Sequence, residues 1–137
     1  MPLIVDASVV LKWVIEEEGS DIARALLADE VIAAPDLLFI ECANVLWVKA
    51  RRGDISAANA KAAYAAIETT PIRAVPVHLH AAAAQHIAFD LDQTPYDSLY
   101  LAVALAERAT LVSADAAFIK AALAHPLYRA SVRLLSR

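Results

Sequence analysis

The sequence predicts an α/β fold with a mostly parallel central sheet of about four to five short strands flanked by helices. Short apolar runs rich in β-branched residues alternate along the chain with helical segments, which is typical of βαβ units. These runs are almost continuously apolar, as expected for strands buried on both faces. The chain has 137 residues and no internal repeat or linker, so a single domain over 1–137 is expected.

The first half of the chain contains two candidate strands. LIVD (3–6) and VIAA (31–34) are short apolar runs, the first ending in an acid. Three helices are expected between and after them. Ser8 caps one that runs to about Glu17, Gly19-Ser20 opens one that runs to about Asp29, and Pro35-Asp36 starts a long one that Gly53 closes, with basic residues in its last turn.

The second half continues the alternation. Ser56 is expected to cap a helix that ends near Thr69, and Thr94-Pro95 matches the start signature of another, with Asp97 three residues after the cap. The remaining predicted elements are a strand or extended segment at 72–77, helices at 80–91, 95–108 and 115–124, and strands at 110–114 and 131–135.

Composition narrows the class of protein. Sixty per cent of the residues are hydrophobic, yet the longest charge-free stretch, 74–89, is shorter than the about 20 apolar residues that a membrane span needs. The N-terminal segment has no basic region and holds an acid, so no signal peptide is expected. One cysteine excludes an internal disulfide and fits a reducing cytoplasm. The net charge of −4 is unfavourable for non-specific nucleic-acid binding, which needs a local basic patch or bound cations.

Four acids occupy positions from which they can share one site. Asp6 ends the first strand and Asp115 follows the strand TLVS, so both are expected at the carboxyl edge of a parallel sheet, where ligands bind. Asp97 lies in the first turn of the helix that leads to that same strand. Glu41 lies in an apolar helix, where a carboxylate is costly to bury unless it is paired or coordinates a cation. Asn44, three residues further on, could orient Glu41 through a hydrogen bond.

Each aspartate also has a purely structural interpretation, because Asp6, Asp97 and Asp115 all stand where an acid can cap a helix. Carboxylates that are brought together repel, however, and bind protons unless a cation neutralises them. An all-oxygen site of this kind suits Mg²⁺ or Mn²⁺. The chemistry that the cluster predicts is metal-dependent phosphodiester hydrolysis by a metal-activated water.

Three stretches, IVDASVVLKW, PDLLFIECANVLW and TPYDSLYLAVALAERATLVSAD, together resemble the PIN-domain family, and within it VapC-type toxins of bacterial toxin–antitoxin pairs. The resemblance covers nearly the whole chain and implies a three-layer α/β/α fold. It implies that Asp6, Glu41, Asp97 and Asp115 form the acidic site of an Mg²⁺- or Mn²⁺-dependent endoribonuclease. Ser8, Asn44 and Ser113 fall where the family often has a polar residue beside the acids.

The resemblance also implies an RNA substrate, a homodimer, and a cognate antitoxin that holds the enzyme inactive. Candidate contacts to RNA phosphates are Lys12, Lys49, Arg51 and Arg52, although basic residues at a helix end also complement its dipole. Trp13 and Trp47 could belong either to the core or to a groove between the first and third helices that receives an apolar antitoxin segment.

Two other functions compete with the nuclease. IAFDLDQT (87–94) looks like the DxDxT motif of haloacid-dehalogenase-type phosphatases, with Asp90 as nucleophile and Asp92 as general acid. The preceding residues look helical where that motif needs a strand, which leaves Asp90 and Asp92 as an exposed helix end and loop. The second alternative is a non-catalytic module that uses the fold only to bind protein.

The remaining residues that could carry chemistry have simpler interpretations. His78, His80 and His86 lack neighbouring cysteines or acids at zinc-site spacing and are expected at the surface or an interface. Cys42 has no base beside it and is expected to be a small buried hydrophobe.

Overall fold

Five short apolar runs form one sheet in which every neighbouring pair of strands is parallel. The structure is a computed structural model that describes residues 2–136. The strands are β1 (Leu3–Val5), β2 (Ile32–Pro35), β3 (Ile72–Val75), β4 (Thr110–Ser113) and β5 (Val132–Leu134). Their order across the sheet is β3-β2-β1-β4-β5. The predicted α/β class is therefore confirmed, with five strands.

Seven helices connect and cover these strands. They are α1 (Ala7–Val14), α2 (Ser20–Asp29), α3 (Leu37–Arg51), α4 (Ala57–Glu68), α5 (Ala81–Leu91), α6 (Pro95–Glu107) and α7 (Ala116–Leu123). Helices α1 to α4 contact one another, and α5 contacts α6. Right-handed crossovers place α1 to α4 on one face and α5 to α7 on the other, because the strand order reverses direction between β3 and β4. The result is the expected three-layer α/β/α arrangement.

The reversal of strand order determines where a ligand can bind. The chain builds outward from β1 to β2 and β3, and then crosses to β4 and β5 on the opposite side of β1. The point of reversal therefore lies between β1 and β4, which pair through Val5 and Val112 at their carboxyl ends. In open α/β sheets this crevice is the usual binding site. Both strands are almost completely buried, which gives the crevice a rigid base.

Helix α6 is the most deeply buried of the helices. Seven consecutive residues, from Ser98 to Ala104, are buried, and the helix contacts β1, β2 and β4. Small side chains such as Ala102 and Ala104 permit this close packing on all sides. The first turn of α6, with Asp97, is thus held firmly against the carboxyl edge of the sheet.

The first helix differs from its predicted bounds at both ends. Its N-cap is Asp6, whose side chain accepts from the Val9 N–H, whereas Ser8, the predicted cap, lies inside the helix. The helix also ends at Val14 instead of continuing to about Glu17. Three consecutive glutamates, 16–18, would place negative charge at the negative end of the helix dipole, which disfavours the extra turn.

The other predicted elements are found with small changes in length. The extended segment at 72–77 is shortened to a strand that ends at Val75, and residues Val77–His80 form a 3₁₀ turn before α5. Thr94 caps α6 as predicted and Pro95 is its first residue. None of the helices found between residues 2 and 136 is long and apolar enough to span a membrane.

The left-handed conformation of Arg108 at the end of α6 leads to a testable prediction about stability. Arg108 closes α6 in the left-handed conformation, with φ of 53°, where a Cβ is unfavourable and glycine is preferred. We expect Arg108→Gly to raise the free energy of unfolding by about 0.5–1 kcal/mol. The measurement is thermal unfolding followed by circular dichroism.

The matched control is Arg52→Gly, because Arg52 ends α3 with an ordinary φ of −78°. This change should destabilise the protein, since glycine only adds freedom to the unfolded chain there. Equal effects at the two positions would contradict the explanation.

Candidate active site

Asp6 stands directly after β1, at the crevice where the strand order reverses. Its Oδ1 accepts a hydrogen bond of 2.5 Å from the Ser8 hydroxyl, and its Oδ2 accepts one of 2.5 Å from the Ser113 hydroxyl. Ser8 comes from the first turn of α1 and Ser113 from the end of β4. The parallel pairing of β1 with β4 brings Ser113 beside Asp6. Both oxygens are therefore fixed by hydroxyl groups from two different elements.

The two serines are themselves held by the backbone that leads to Asp115. The Ser8 hydroxyl accepts from the Ala114 N–H at 2.9 Å, and the Ser113 hydroxyl accepts from the Asp115 N–H at 3.0 Å. The network therefore runs from the start of α1 across the sheet to the start of α7. The structure places Ser8 and Ser113 against Asp6, where the resemblance implied polar residues beside the acids.

Glu41 reaches the same region from the helical layer that lies opposite α6 and α7. It lies on α3, the helix that follows β2, and its Oε1 accepts a hydrogen bond from the Tyr100 hydroxyl of α6. The predicted bond from Asn44 is wrong: among residues 2–136 Asn44 has no hydrogen bond to Glu41. Its amide is exposed at the surface of α3, whereas the buried Tyr100 hydroxyl already occupies Oε1.

Asp97 lies in the first turn of α6, and Asp115 is the N-cap of α7. The Asp97 N–H donates to the Thr94 side chain at 3.2 Å, so Thr94 caps the helix and the Asp97 carboxylate is not needed for that purpose. The Asp115 Oδ1 accepts from the backbone N–H groups of Ala117 and Phe118 at 3.1 and 3.2 Å. Capping therefore uses one oxygen of Asp115, whereas the Asp97 carboxyl group interacts with the side chain of Thr94, which lowers the pKa of Asp97.

Each of the four acids interacts electrostatically with two of the others. Burial raises the pKa of Asp6, against the lowering effect of its hydrogen bonds to Ser113 and Ser8, and the charge of Asp115 raises it further. Burial also raises the pKa of Asp97, again with a contribution from Asp115.

Burial and neighbouring charges also act on the pKa of Glu41. Burial raises the pKa of Glu41, the Tyr100 hydrogen bond lowers it, and the charges of Asp97 and Asp6 raise it. Each acid thus repels two others. Within residues 2–136 no lysine or arginine forms an ion pair with any of these four carboxylates.

This arrangement fits a hard divalent cation by its donor chemistry. The candidate ligands are all carboxylate oxygens, their mutual repulsion is not offset by a basic side chain, and hydroxyl groups hold Asp6 in one orientation. In this conformation, no group of three or more His, Cys, Asp or Glu side chains between residues 2 and 136 is arranged so that it could hold a metal ion. The fit is therefore one of donor chemistry, and Mg²⁺, which keeps several waters, needs few protein ligands.

The basic residues proposed to contact RNA form no ion pair with the four acids among residues 2–136. The Lys12 Nζ donates to the Glu18 carbonyl at 2.6 Å and to the Glu17 carboxylate at 3.4 Å, so Lys12, in the last turn of α1, is engaged with the segment that follows this helix. Lys49, Arg51 and Arg52 lie at the end of α3, with Lys49 about 12 Å along the helix from Glu41. The structure therefore does not bring any of these cations into the acidic cluster.

The two tryptophans have different environments. Trp13 is 8% exposed and donates from Nε1 to the Ala23 carbonyl at 2.8 Å, so it belongs to the core. Trp47 is 56% exposed, and the Arg51 guanidinium lies 5.3 Å from its ring centre. Trp47 borders two surface cavities, one of 560 Å³ that includes Glu41 and Asn44, and one of 420 Å³ between α3 and α4. Only Trp47 is therefore available to a partner.

The other candidate sites have structural explanations. Asp90 lies in α5 and Asp92 at its left-handed end, so the strand that a DxDxT phosphatase motif requires is absent from this described segment. Asp90 instead accepts a 2.5 Å hydrogen bond from the Tyr128 hydroxyl. Cys42 is buried as expected, and burial raises the pKa of its thiol to about 12.

The three histidines lie at the surface, with His80 half-buried and His78 and His86 exposed. This location agrees with the expected surface positions and leaves them outside the acidic cluster.

Sequence reasoning missed Tyr100, the partner of Glu41. Burial and the hydrogen bond to Glu41 raise the pKa of Tyr100, which keeps its hydroxyl a proton donor. Two signals could have found it: a tyrosine within the apolar run LYLAVALA needs a partner for its hydroxyl, and it lies three residues after Asp97, on the same helical face.

Comparison with known proteins agrees with this fold. A family model for the PIN domain matches residues 3–123. No match is found among curated proteins. A crystal structure of a protein from Pyrobaculum aerophilum is similar with a TM-score of 0.71 and 21% identity, over 88% of this chain and 79% of that one.

Two further solved structures are of toxins. VapC20 of Mycobacterium tuberculosis, a sarcin-ricin loop cleaving toxin, has a TM-score of 0.65 and 20% identity, over 87% of this chain and 94% of that one. A toxin–antitoxin complex from Klebsiella pneumoniae has a TM-score of 0.67 and 14% identity, over 98% of each chain. At these identities the likeness concerns the fold alone. The family-model match over 3–123, on a three-layer fold with its acids at the strand crossover, shows that this chain belongs to the PIN-domain family.

Proposed function

We propose that this chain is an Mg²⁺- or Mn²⁺-dependent endoribonuclease that acts as the toxin of a toxin–antitoxin pair. The observation that carries the proposal is the electrostatic repulsion among Asp6, Glu41, Asp97 and Asp115 at the crevice between β1 and β4. No basic side chain in residues 2–136 forms an ion pair with any of these acids. Acids that repel one another and have no basic partner suit a site that binds a cation.

Each acid has a role in this proposal. Asp6, fixed by Ser8 and Ser113, is the central ligand, and Asp97 and Asp115 are ligands supplied by two helix starts. Glu41 completes the set from the opposite layer. A divalent ion held by these acids would supply a more acidic water and Lewis-acid polarisation of a phosphoryl oxygen. Without a cation, burial raises the pKa of Asp97 and Glu41, so both side chains favour the protonated form more than exposed acids do.

An RNA substrate is supported by the family and by the surface beside the acids. The 560 Å³ cavity at Glu41 is open and borders Trp47, and the exposed Arg51 and Arg52 follow at the end of α3. These two arginines, with Lys49, are our candidates for phosphate contacts, and Trp47 is placed to stack on a base. The similar VapC20 is itself a sarcin-ricin loop cleaving toxin.

We also propose an antitoxin partner, a homodimer and a cytoplasmic location. The antitoxin is supported by the similar toxin–antitoxin complex from Klebsiella pneumoniae and by exposed apolar residues on α3, Ile40 and Trp47. An apolar helix face of this kind suits an amphipathic partner segment. The reducing cytoplasm fits a chain with a single, buried cysteine.

The proposal is tested by cleavage of an end-labelled structured RNA. We expect cleavage with Mn²⁺ or Mg²⁺ and none when EDTA is present in excess, because the carboxylates alone cannot activate water. Cleavage that persists in EDTA would contradict the metal-dependent mechanism. Protein that binds no Mn²⁺ and leaves RNA intact would favour the non-catalytic interaction module instead.

A further inference from the structure

Tyr100 joins the two helical layers at the acidic site. Its side chain is 2% exposed, and its hydroxyl donates to the Glu41 Oε1 although the two residues are 59 positions apart in sequence. Tyr100 belongs to α6 in one layer and Glu41 to α3 in the other. This is a direct polar contact between the layers at the carboxyl edge of the sheet.

The helix that carries Tyr100 also carries Asp97. Tyr100 follows Asp97 by three residues, so the two side chains lie on neighbouring positions of one helical face. One helix therefore contributes Asp97 directly and holds Glu41 through Tyr100. The buried segment of α6 is rigid, which fixes the separation of the two acids within a narrow range.

Glu41 has a particular need for such support. It is repelled by Asp97 and Asp6, and its side chain has three rotatable bonds, so an unsupported Glu41 would turn away from the other acids. Asp6 is supported by Ser8 and Ser113, and Asp115 by two backbone N–H groups. For Glu41 the corresponding support within residues 2–136 is the Tyr100 hydroxyl.

We propose, building on the metal-dependent function above, that Tyr100 is a positioning residue that holds Glu41 toward the other acids for binding of the divalent cation. Tyr100 itself touches neither the cation nor the RNA. Its effect on activity passes through the orientation of one ligand. The phenol ring packs in the core, so its contribution to folding can be separated from that of its hydroxyl.

The test is the affinity for Mn²⁺, measured by isothermal titration calorimetry on Tyr100→Phe. The ring stays and only the hydroxyl is lost, and we expect affinity to fall by roughly 10- to 100-fold. RNA cleavage at subsaturating Mn²⁺ should fall by a similar factor and recover at high Mn²⁺. An unchanged affinity would overturn the proposal.

The chain offers a closely matched control in Tyr128→Phe. Tyr128 is also buried and also donates a hydrogen bond to a carboxylate, that of Asp90. Its removal should lower thermal stability to a similar degree, since each variant loses one tyrosine–carboxylate bond. It should leave Mn²⁺ affinity unchanged. A similar loss of affinity in both variants would mean that general destabilisation is responsible, and the proposal would fail.

A double-mutant cycle assigns the effect to Glu41. In a Glu41→Gln background, Tyr100→Phe should cost little further affinity, because the ligand that it positions has already been replaced. Full additivity would overturn the proposed coupling. The parent protein separates this failure from that of the function: if it binds no Mn²⁺, the metal-dependent function itself is wrong.

Discussion

Asp6→Asn is expected to abolish RNA cleavage while leaving the folded protein at least as stable at pH 7. Asp6 is the acid that the structure holds most firmly, between Ser8 and Ser113 at the crevice. An amide is a much weaker ligand than a carboxylate for a hard divalent cation. Loss of about 4 kcal/mol of transition-state stabilisation corresponds to a rate reduction of about a thousandfold.

The stability part of this prediction follows from the pKa of Asp6. Burial raises this pKa above the value of 3.8 for an ordinary aspartate. An acid whose pKa is higher in the folded state binds protons preferentially there, so its contribution to stability declines as pH rises above about 4. At pH 7 without a cation, the charge on Asp6 therefore opposes folding. Asparagine removes that charge and remains a good N-cap for α1.

Two measurements on one preparation check the prediction, namely RNA cleavage with Mn²⁺ and thermal unfolding in EDTA. The control is Asp54→Asn, which removes one negative charge in the exposed turn after α3 and should change neither. A variant of Asp6 that cleaves at more than a tenth of the parent rate would remove Asp6 from the site. A marked fall in the melting temperature would show that its charge stabilises the fold.

Addition of Mn²⁺ is expected to raise the melting temperature, and to raise it more at pH 8 than at pH 5. In EDTA the raised pKa values of Asp6, Glu41 and Asp97 make these acids a source of instability that grows as pH increases above about 4. A divalent cation binds the deprotonated acids, so protons compete with it at low pH. At a Mn²⁺ concentration of 100 times Kd, the gain is about 2.7 kcal/mol, or on the order of 10 °C for a chain of this size.

The measurement is a series of melting curves from pH 5 to pH 8, with Mn²⁺ or with EDTA at matched ionic strength. Asp97→Asn serves as the comparison, because it removes one proposed ligand and one repelling charge. Its melting temperature in EDTA should depend less on pH, and its gain from Mn²⁺ should be smaller. A gain in the parent protein that is the same at both pH values would contradict binding at these acids.

The sheet and half of the site could be predicted because the rules involved are local. Apolar runs mark β1 and β4, and parallel strands end at a common edge, so Asp6 and Asp115 were expected near each other. What the sequence could not supply was the strand order, because it depends on which helices cover which face. The pairing of β1 with β4 is what brings Ser113, at the end of β4, beside Asp6.

The contacts of Glu41 show the limit of this approach. Helical spacing pointed to Asn44 as its partner, but the partner is Tyr100, 59 residues away and brought close by packing between layers. The spacing of residues within one helix does not reveal contacts between residues that are far apart in the sequence. The burial of the two tryptophans could not be predicted either. Trp13 is in the core and Trp47 is exposed, but nothing near them in the sequence indicates this difference.

The hydrogen bond between Ser113 and Asp6 links residues 107 positions apart, and this separation has a consequence for how the protein is made. Contacts between distant parts of a chain form late, because the intervening loop must first be ordered. During synthesis, Asp6 leaves the ribosome long before β4 and α7 exist. The acidic site is therefore incomplete throughout most of translation, and it is assembled only when the last third of the chain has been made.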